Sequence, residues 1–249
     1  DKKVQNKPKG WHSTWDFGSQ DYAKSKFTDH VVATWVTEQL SIQHGKPIFL
    51  ACGFYRPHVP FFPPRDVYDS LKDVQLPRVD DNDWSDIPDA ARDVSMSNSK
   101  IPTHGWMREK GRWKEAVQCY LACVRWTDQQ IGRVLDALDH GPHAKNTIIV
   151  LFSDHGYHLG EKQRWSKFSL WERTTHVPLI ISLPNGIKGK TNKPVELLSL
   201  YPTLIDLCGL PENSKLEGIS LQPLLEDPKA DWKHAAISTL GQNNHALRD

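Results

Sequence analysis

The 249-residue chain reads as an α/β protein with a mostly parallel central sheet and helices on both faces. Three observations predict this class. Apolar runs at 48–54, 148–152 and 177–183 have strand length and no polar alternation, which marks strands covered on both faces. One long amphipathic stretch, Met107 to Leu138, carries Val117, Tyr120, Leu121, Val124, Ile131, Val134, Leu135 and Leu138 on one stripe. Helix and strand patterns alternate along the chain.

Residues 1–27 scatter Trp11, Trp15, Phe17 and Tyr22 among Lys, Asp and Gly at no clear period, and read as loop. A helix starts at Asp29, with Val31, Val32, Trp35, Val36 and Leu40 at helical spacing, and Gly45 with Pro47 ends it. Ile48 to Phe54 is a buried strand. It empties into Tyr55-Arg56-Pro57-His58-Val59-Pro60-Phe61-Phe62-Pro63-Pro64, where four prolines in eight residues favour a stiff extended loop that fixes His58. Residues 65–105 form a long acidic, proline-dotted surface passage, of the kind that covers a substrate site. The 107–138 helix follows and Gly141-Pro142 stops it. The strand at Ile148–Phe152 breaks off at Ser153-Asp154-His155-Gly156. After a polar, Trp-bearing loop over 157–175 come a third strand at Val177–Leu183, a short helix at Leu200–Leu207 closed by Gly209, and a last strand at Ala235–Leu240.

A formal charge of +1, from 31 basic and 30 acidic residues, provides no strong field for nucleic acid or an anionic membrane surface. The longest apolar runs fall far short of the roughly 20 residues of a membrane-spanning helix, so no membrane span is expected. No signal peptide is visible: the chain opens on Asp1-Lys2-Lys3, ends on Arg248-Asp249, and is expected to be a piece of something longer. Cys52, Cys119, Cys123 and Cys208 make no zinc-knuckle or disulfide pattern, and Cys119 with Cys123 read as buried thiols on an apolar helix face.

In open α/β sheets ligands gather beyond the carboxyl ends of the strands. Two predicted strands end there in histidine-bearing loops, at Pro57-His58 and Asp154-His155, and both Asp154 and His155 are competent as metal ligands or acid–base groups. Each has a plainer reading, since a histidine after a strand can be satisfied structure and an Asp-Gly-type ending can be a turn. In the mixed-charge loop 160–167, otherwise a solvated surface loop, Lys167 is a point charge suited to an anionic oxygen. Arg56, Arg164 and Arg173 could assist. His158, His176 and His245 are possible site members, whereas His12, His30, His44, His104, His140, His143 and His234 are expected at the surface.

The run from Asn146 to Glu161 (NTIIVLFSDHGYHLGE) resembles the sulfatases of the alkaline phosphatase superfamily, with iduronate-2-sulfatase and its bacterial relatives nearest. Further matches are Gly53-Phe54-Tyr55-Arg56-Pro57-His58-Val59-Pro60, Trp165-Ser166-Lys167 and Thr175-His176-Val177-Pro178-Leu179-Ile180, in family order from about Asp29 to Arg248. The resemblance implies hydrolysis of a sulfate ester, of a small molecule or glycan, at a site holding one Ca²⁺. It implies Asp154 and His155 as metal ligands, Lys167 as the group that grips the sulfate, and His58 as the contact to sulfate and leaving-group oxygen and its proton donor. Arg56, His158, Arg164 and His245 would serve substrate binding.

The family's nucleophile, a formylglycine made in a Cys/Ser-x-Pro/Ala-x-Arg motif, and the paired aspartates that complete its calcium site are not found. Cys52-Gly53-Phe54-Tyr55-Arg56 has the spacing but places Phe where Pro or Ala belongs. The domain reading is therefore 1–234 as the middle and later part of a catalytic α/β domain and 235–249 as the start of a truncated C-terminal subdomain. By itself such a chain is expected not to turn over sulfate esters; steady aryl sulfate hydrolysis lost in His58→Ala would contradict this. A phosphodiesterase or phosphonate hydrolase of the same superfamily, and a non-catalytic protein binding sulfated glycans, are the alternatives. Family members are mostly exported, to periplasm, cell surface or lysosome, and the same is expected here.

Overall fold

The computed structural model describes residues 14–96 and 100–249, so the readings of Trp11 and His12 lie outside the described residues. In chain order the helices are α1 (Thr28–Ser41), α2 (Arg65–Asp69), α3 (Asp89–Met96), α4 (His104–Glu109), α5 (Trp113–Asp139), α6 (Glu172–Thr175), α7 (Leu200–Leu207) and α8 (Gln222–Glu226). The strands are β1 (Ile149–Phe152), β2 (His158–Leu159), β3 (Trp165–Ser166), β4 (Leu179–Ser182), β5 (Ala236–Thr239) and β6 (His245–Arg248). They fall into two compact units, Asp1–Asn146 with His158–Ser166, and Thr147–Tyr157 with Lys167–Asp249.

The first unit is built on α1 packed along α5. Its α1 buries Ala33, Val36 and Leu40, whereas Trp35 is 52% exposed, so the packed stripe is offset from the one expected through Val31 and Trp35. Apolar residues lie on both sides of this helix, and only the partner decides which side is covered. A polar seam joins the two helices: Arg133 on α5 donates to Gln130 Oε1 at 2.8 Å and Thr34 Oγ1 at 3.0 Å, and lies 3.2 Å from His30 Nδ1. The long helix expected from Met107 is two helices, because Gly111 at φ +62° breaks the run into α4 and α5. Phe27, Val67, Ala122 and Trp126 form a core cluster with Tyr68 and Leu71 against it.

The early segment expected as loop supplies core. Trp15 and Phe17 are buried, and Trp15 meets Phe17, Phe61 and Trp165 edge-on at 5.7, 6.5 and 6.0 Å. Backbone bridges from Phe17 to Phe61 and Gln20 to Pro64 tie that segment to the proline-rich loop. The passage 65–105 holds α2 and α3, and α4 begins within it. His104, expected at the surface, is fully buried at the start of α4, edge-on to Trp113 at 4.5 Å. Residues 48–54 are extended without a hydrogen-bonded strand partner among the described residues, and Phe49 is 83% exposed.

In the second unit β1 pairs with β4 in register Ile149↔Ser182 through Phe152↔Leu179, and the pairing is antiparallel. All three two-stranded sheets of the described residues are antiparallel. The α/β class stands, while the strand direction differs from the mostly parallel expectation. Continuous apolar sequence carries no information on direction, and the expected coverage on both faces is not met in this pair, where Phe152 and Ile180 are exposed. The Leu200–Leu207 helix is as read, with Gly209 at φ +60° following it. In this unit α6, α8 and β6 escaped the reading; β6 pairs with β5 in a closing hairpin.

Candidate functional site

In the second unit, β1 delivers Ser153-Asp154-His155-Gly156 as a tight turn. Ser153 Oγ donates to the His155 carbonyl at 2.8 Å, and the His155 N–H donates to Asp154 Oδ1 at 3.0 Å. Gly156 makes the turn possible: a Cβ there would lie 2.1 Å from the Arg173 carbonyl oxygen, and its N–H donates to the Thr174 carbonyl at 2.9 Å. The turn is thereby pressed onto α6.

His155 Nδ1 lies 2.9 Å from the Gly156 carbonyl, an acceptor only, so Nδ1 carries the hydrogen and Nε2 is the nitrogen that in the neutral ring offers a lone pair. That Nε2 sits 3.5 Å from Asp154 Oδ2. A carboxylate oxygen and an imidazole nitrogen so placed suit one divalent cation. Among the described residues no group of three or more His, Cys, Asp or Glu completes a metal site. The pair is thus part of a donor set, well short of the roughly 6–8 oxygens that calcium prefers.

Lys167 belongs to the same unit. Burial pushes its ammonium below the usual lysine range, and the Asp154 carboxylate opposes that shift, which places the two charges within each other's field. Asp154, His155 and Lys167 are therefore brought together. Arg173 contributes its backbone to the Gly156 crossing. His176 is exposed and pairs with Glu172 at 3.2 Å, and His245 lies on the terminal hairpin with Thr239 Oγ1 at 2.9 Å.

His58 and Arg56 belong to the first unit. The proline-rich loop turns as expected, and His58 Nδ1 lies 2.8 Å from the Val59 carbonyl. Arg56, expected at the substrate, is engaged elsewhere: its side chain is 10% exposed and forms a 2.7 Å ion pair with the fully buried Asp29. His158 and Arg164, also expected at the substrate, are buried inside this unit by the β2–β3 hairpin, and burial lowers the Arg164 pKa from its ordinary value. That hairpin is backbone-strained, with positive φ at Gly160, Lys162, Gln163 and Ser166. Glu161 accepts the Leu159 N–H at 2.7 Å, and Lys162 reaches Asp83 at 2.6 Å, so the acidic passage anchors the turn that leads to Lys167.

Sequence reasoning missed Asp29, Gly156 and Asp83 as supporting groups. Gly156 was visible as the last residue of the Ser-Asp-His-Gly stop, while the other two act across 27 and 79 residues of sequence. Cys119 and Cys123 are buried as expected, and burial pushes the Cys119 thiol up to about 12 and Cys123 further.

A sulfatase family model matches residues 4–210. The chain belongs to the sulfatase family. A sulfatase from Formosa agariphila is 42% identical over 236 residues, which is 94% of this chain and 46% of that protein. The iduronate 2-sulfatase of Mus musculus is 36% identical over 205 residues, 67% of this chain and 37% of that one. The sulfatase chain thus spans less than half the length of these relatives. Two solved structures share its fold. One is a complex with its substrate D-glucosamine-2-N,6-O-disulfate (TM-score 0.72, 23% identity, 88% of this chain and 58% of that one). The other is a phosphonate monoester hydrolase from Silicibacter pomeroyi (TM-score 0.73, 24% identity, 87% and 45%). These likenesses show the α/β fold expected from the sequence. No helix among the described residues is long and apolar enough to cross a membrane.

Proposed function

We propose that the full-length protein carrying this chain hydrolyses sulfate esters of a sulfated carbohydrate. The observation that carries the reading is the grouping of Asp154, His155 and Lys167 on neighbouring loops of one unit. A cation donor pair beside a lysine suits a tetrahedral anion, because the sulfate carries its charge on oxygens that both can hold. Family membership and the sulfated glucosamine bound by a structural neighbour support a glycan ester as the substrate class.

In this reading Asp154 and His155 supply two ligands to a resident divalent cation, with Ca²⁺ the ion that the family resemblance implies. Once bound, that ion withdraws charge from the sulfate oxygens. Lys167 holds a sulfate oxygen by a charge-assisted hydrogen bond. His58 gives its proton to the leaving-group oxygen. The nucleophile, a formylglycine, is supplied by sequence outside these 249 residues, and residues 235–249 open a smaller C-terminal subdomain. The protein is exported, as its family resemblance suggests.

The test is turnover by the purified full-length protein on a sulfated monosaccharide, an aryl sulfate and a phosphonate monoester. Sulfate ester hydrolysis is expected, falling by about 100-fold or more in Lys167→Ala and in His58→Ala. Preference for the phosphonate monoester, or unimpaired sulfate turnover in both variants, would overturn the reading.

A further inference from the structure

The turn that carries His58 is held at both ends by groups of the first unit. The Asp29 carboxylate on α1 accepts the backbone N–H of Tyr55 at 2.7 Å and of Arg56 at 3.4 Å. Its second oxygen takes Arg56 Nη1 at 2.7 Å. The same guanidinium stacks over the Phe27 ring, Cζ 4.8 Å from the centroid, and donates from Nε to the Phe62 carbonyl at 3.0 Å. Arg56 therefore links the residues before His58 to those after it. From α5, the Thr127 hydroxyl donates to the Arg56 carbonyl at 2.9 Å.

A buried ion pair is a weak source of stability, since desolvation consumes much of its attraction. What it provides here is geometry. Inside the turn, Tyr55 Oη donates to the Val59 carbonyl at 2.7 Å and His58 Nδ1 approaches the same oxygen at 2.8 Å, with the two rings 4.9 Å apart. Because a carbonyl only accepts, Nδ1 carries the hydrogen and Nε2 is the nitrogen left for a ligand.

We propose that Asp29, Arg56 and Tyr55 are positioning residues that commit His58 to act through Nε2. The inference rests on the role assigned to His58 above and extends it to groups that touch no substrate. Its chemistry is consistent: when the imidazolium loses its Nε2 proton to the leaving-group oxygen, the remaining neutral ring is the Nδ1–H tautomer that the Val59 carbonyl already binds. No ring flip separates the two states. Arg56 then acts through the loop, which accounts for its burial.

The test uses the full-length protein with ¹⁵N-labelled histidine, the His58 signals being assigned by their loss in His58→Gln. The expected result is a single Nδ1–H tautomer for neutral His58, opposite to the form favoured in water. Asp29→Asn and Tyr55→Phe are expected to admit the Nε2–H form and to lower kcat about tenfold or more with little change in KM. Arg56→Lys, which keeps a donor for Asp29, should recover most of the loss seen in Arg56→Gln. Tyr55→Phe removes one hydroxyl from an exposed ring, so it keeps the test decisive if Asp29→Asn does not fold. A wild-type His58 in the Nε2–H form, or folded variants with wild-type spectra and kcat, would overturn the inference. If the tautomer is as expected but His58→Ala leaves hydrolysis intact, the functional reading falls while the positioning geometry stands.

Discussion

At the scale of single residues, the site depends on a missing side chain. Gly156 crosses the Arg173 backbone so closely that a methyl group would overlap its carbonyl oxygen at 2.1 Å. Neither partner can yield easily, because both are main chain and the Gly156 N–H is bonded to Thr174. Gly156→Ala is therefore expected to destabilise the protein by about 1–3 kcal/mol, the range of overpacking substitutions, and to displace Asp154 and His155 together. Urea unfolding checks the first effect and cation affinity the second; an unchanged unfolding midpoint would contradict the crossing. The Ser-Asp-His-Gly stop was legible in the sequence as a strand ending in chemistry. What the glycine touches was not, because Arg173 reaches it through folding alone.

At the scale of elements, helices were read well where a local signal closes them and poorly where packing chooses a face. Leu200–Leu207 ends as its glycine dictates, whereas α1 buries Ala33 and Val36 in preference to Val31 and Trp35 because α5 lies on that side. Two histidines record the same packing. His104 at the head of α4 is held below its ordinary value by burial first and Arg108 second, and His30 on the α1–α5 seam by burial first and Arg133 second. A histidine whose folded pKa is depressed takes up its proton more readily when unfolded. These two therefore destabilise the fold as pH drops below the unfolded value of about 6.5, and their full contribution returns above it. The urea midpoint is expected to fall between about pH 7 and pH 5, less steeply in His104→Gln. A pH-independent midpoint would contradict this.

At the scale of the molecule, two units share the residues the sequence had set side by side: His58 in the first, Asp154, His155 and Lys167 in the second. The donor count sets an expectation for the chain. With one carboxylate and one imidazole, the 249-residue chain should bind Ca²⁺ weakly, by titration calorimetry, and Asp154→Ala should abolish what binding there is. Tight binding that survives the substitution would show that the ion sits elsewhere. The hairpin 158–166 carries the same lesson, since its burial of His158 and Arg164 turns two expected substrate contacts into interior groups.

The sequence by itself determined the α/β class, the family, the strand that ends at Asp154-His155, the stiff proline loop around His58 and the buried thiols of α5. These are local matters, settled by periodicity, by proline and glycine, and by motifs whose residues lie close together in the chain. Tertiary structure alone decided that β1 and β4 run antiparallel, that Trp15 and Phe17 are core, and that Arg56 is paired with Asp29 rather than open to a substrate. Strand direction, burial and pairing depend on which distant segments meet, and apolar or charged character alone does not name the partner.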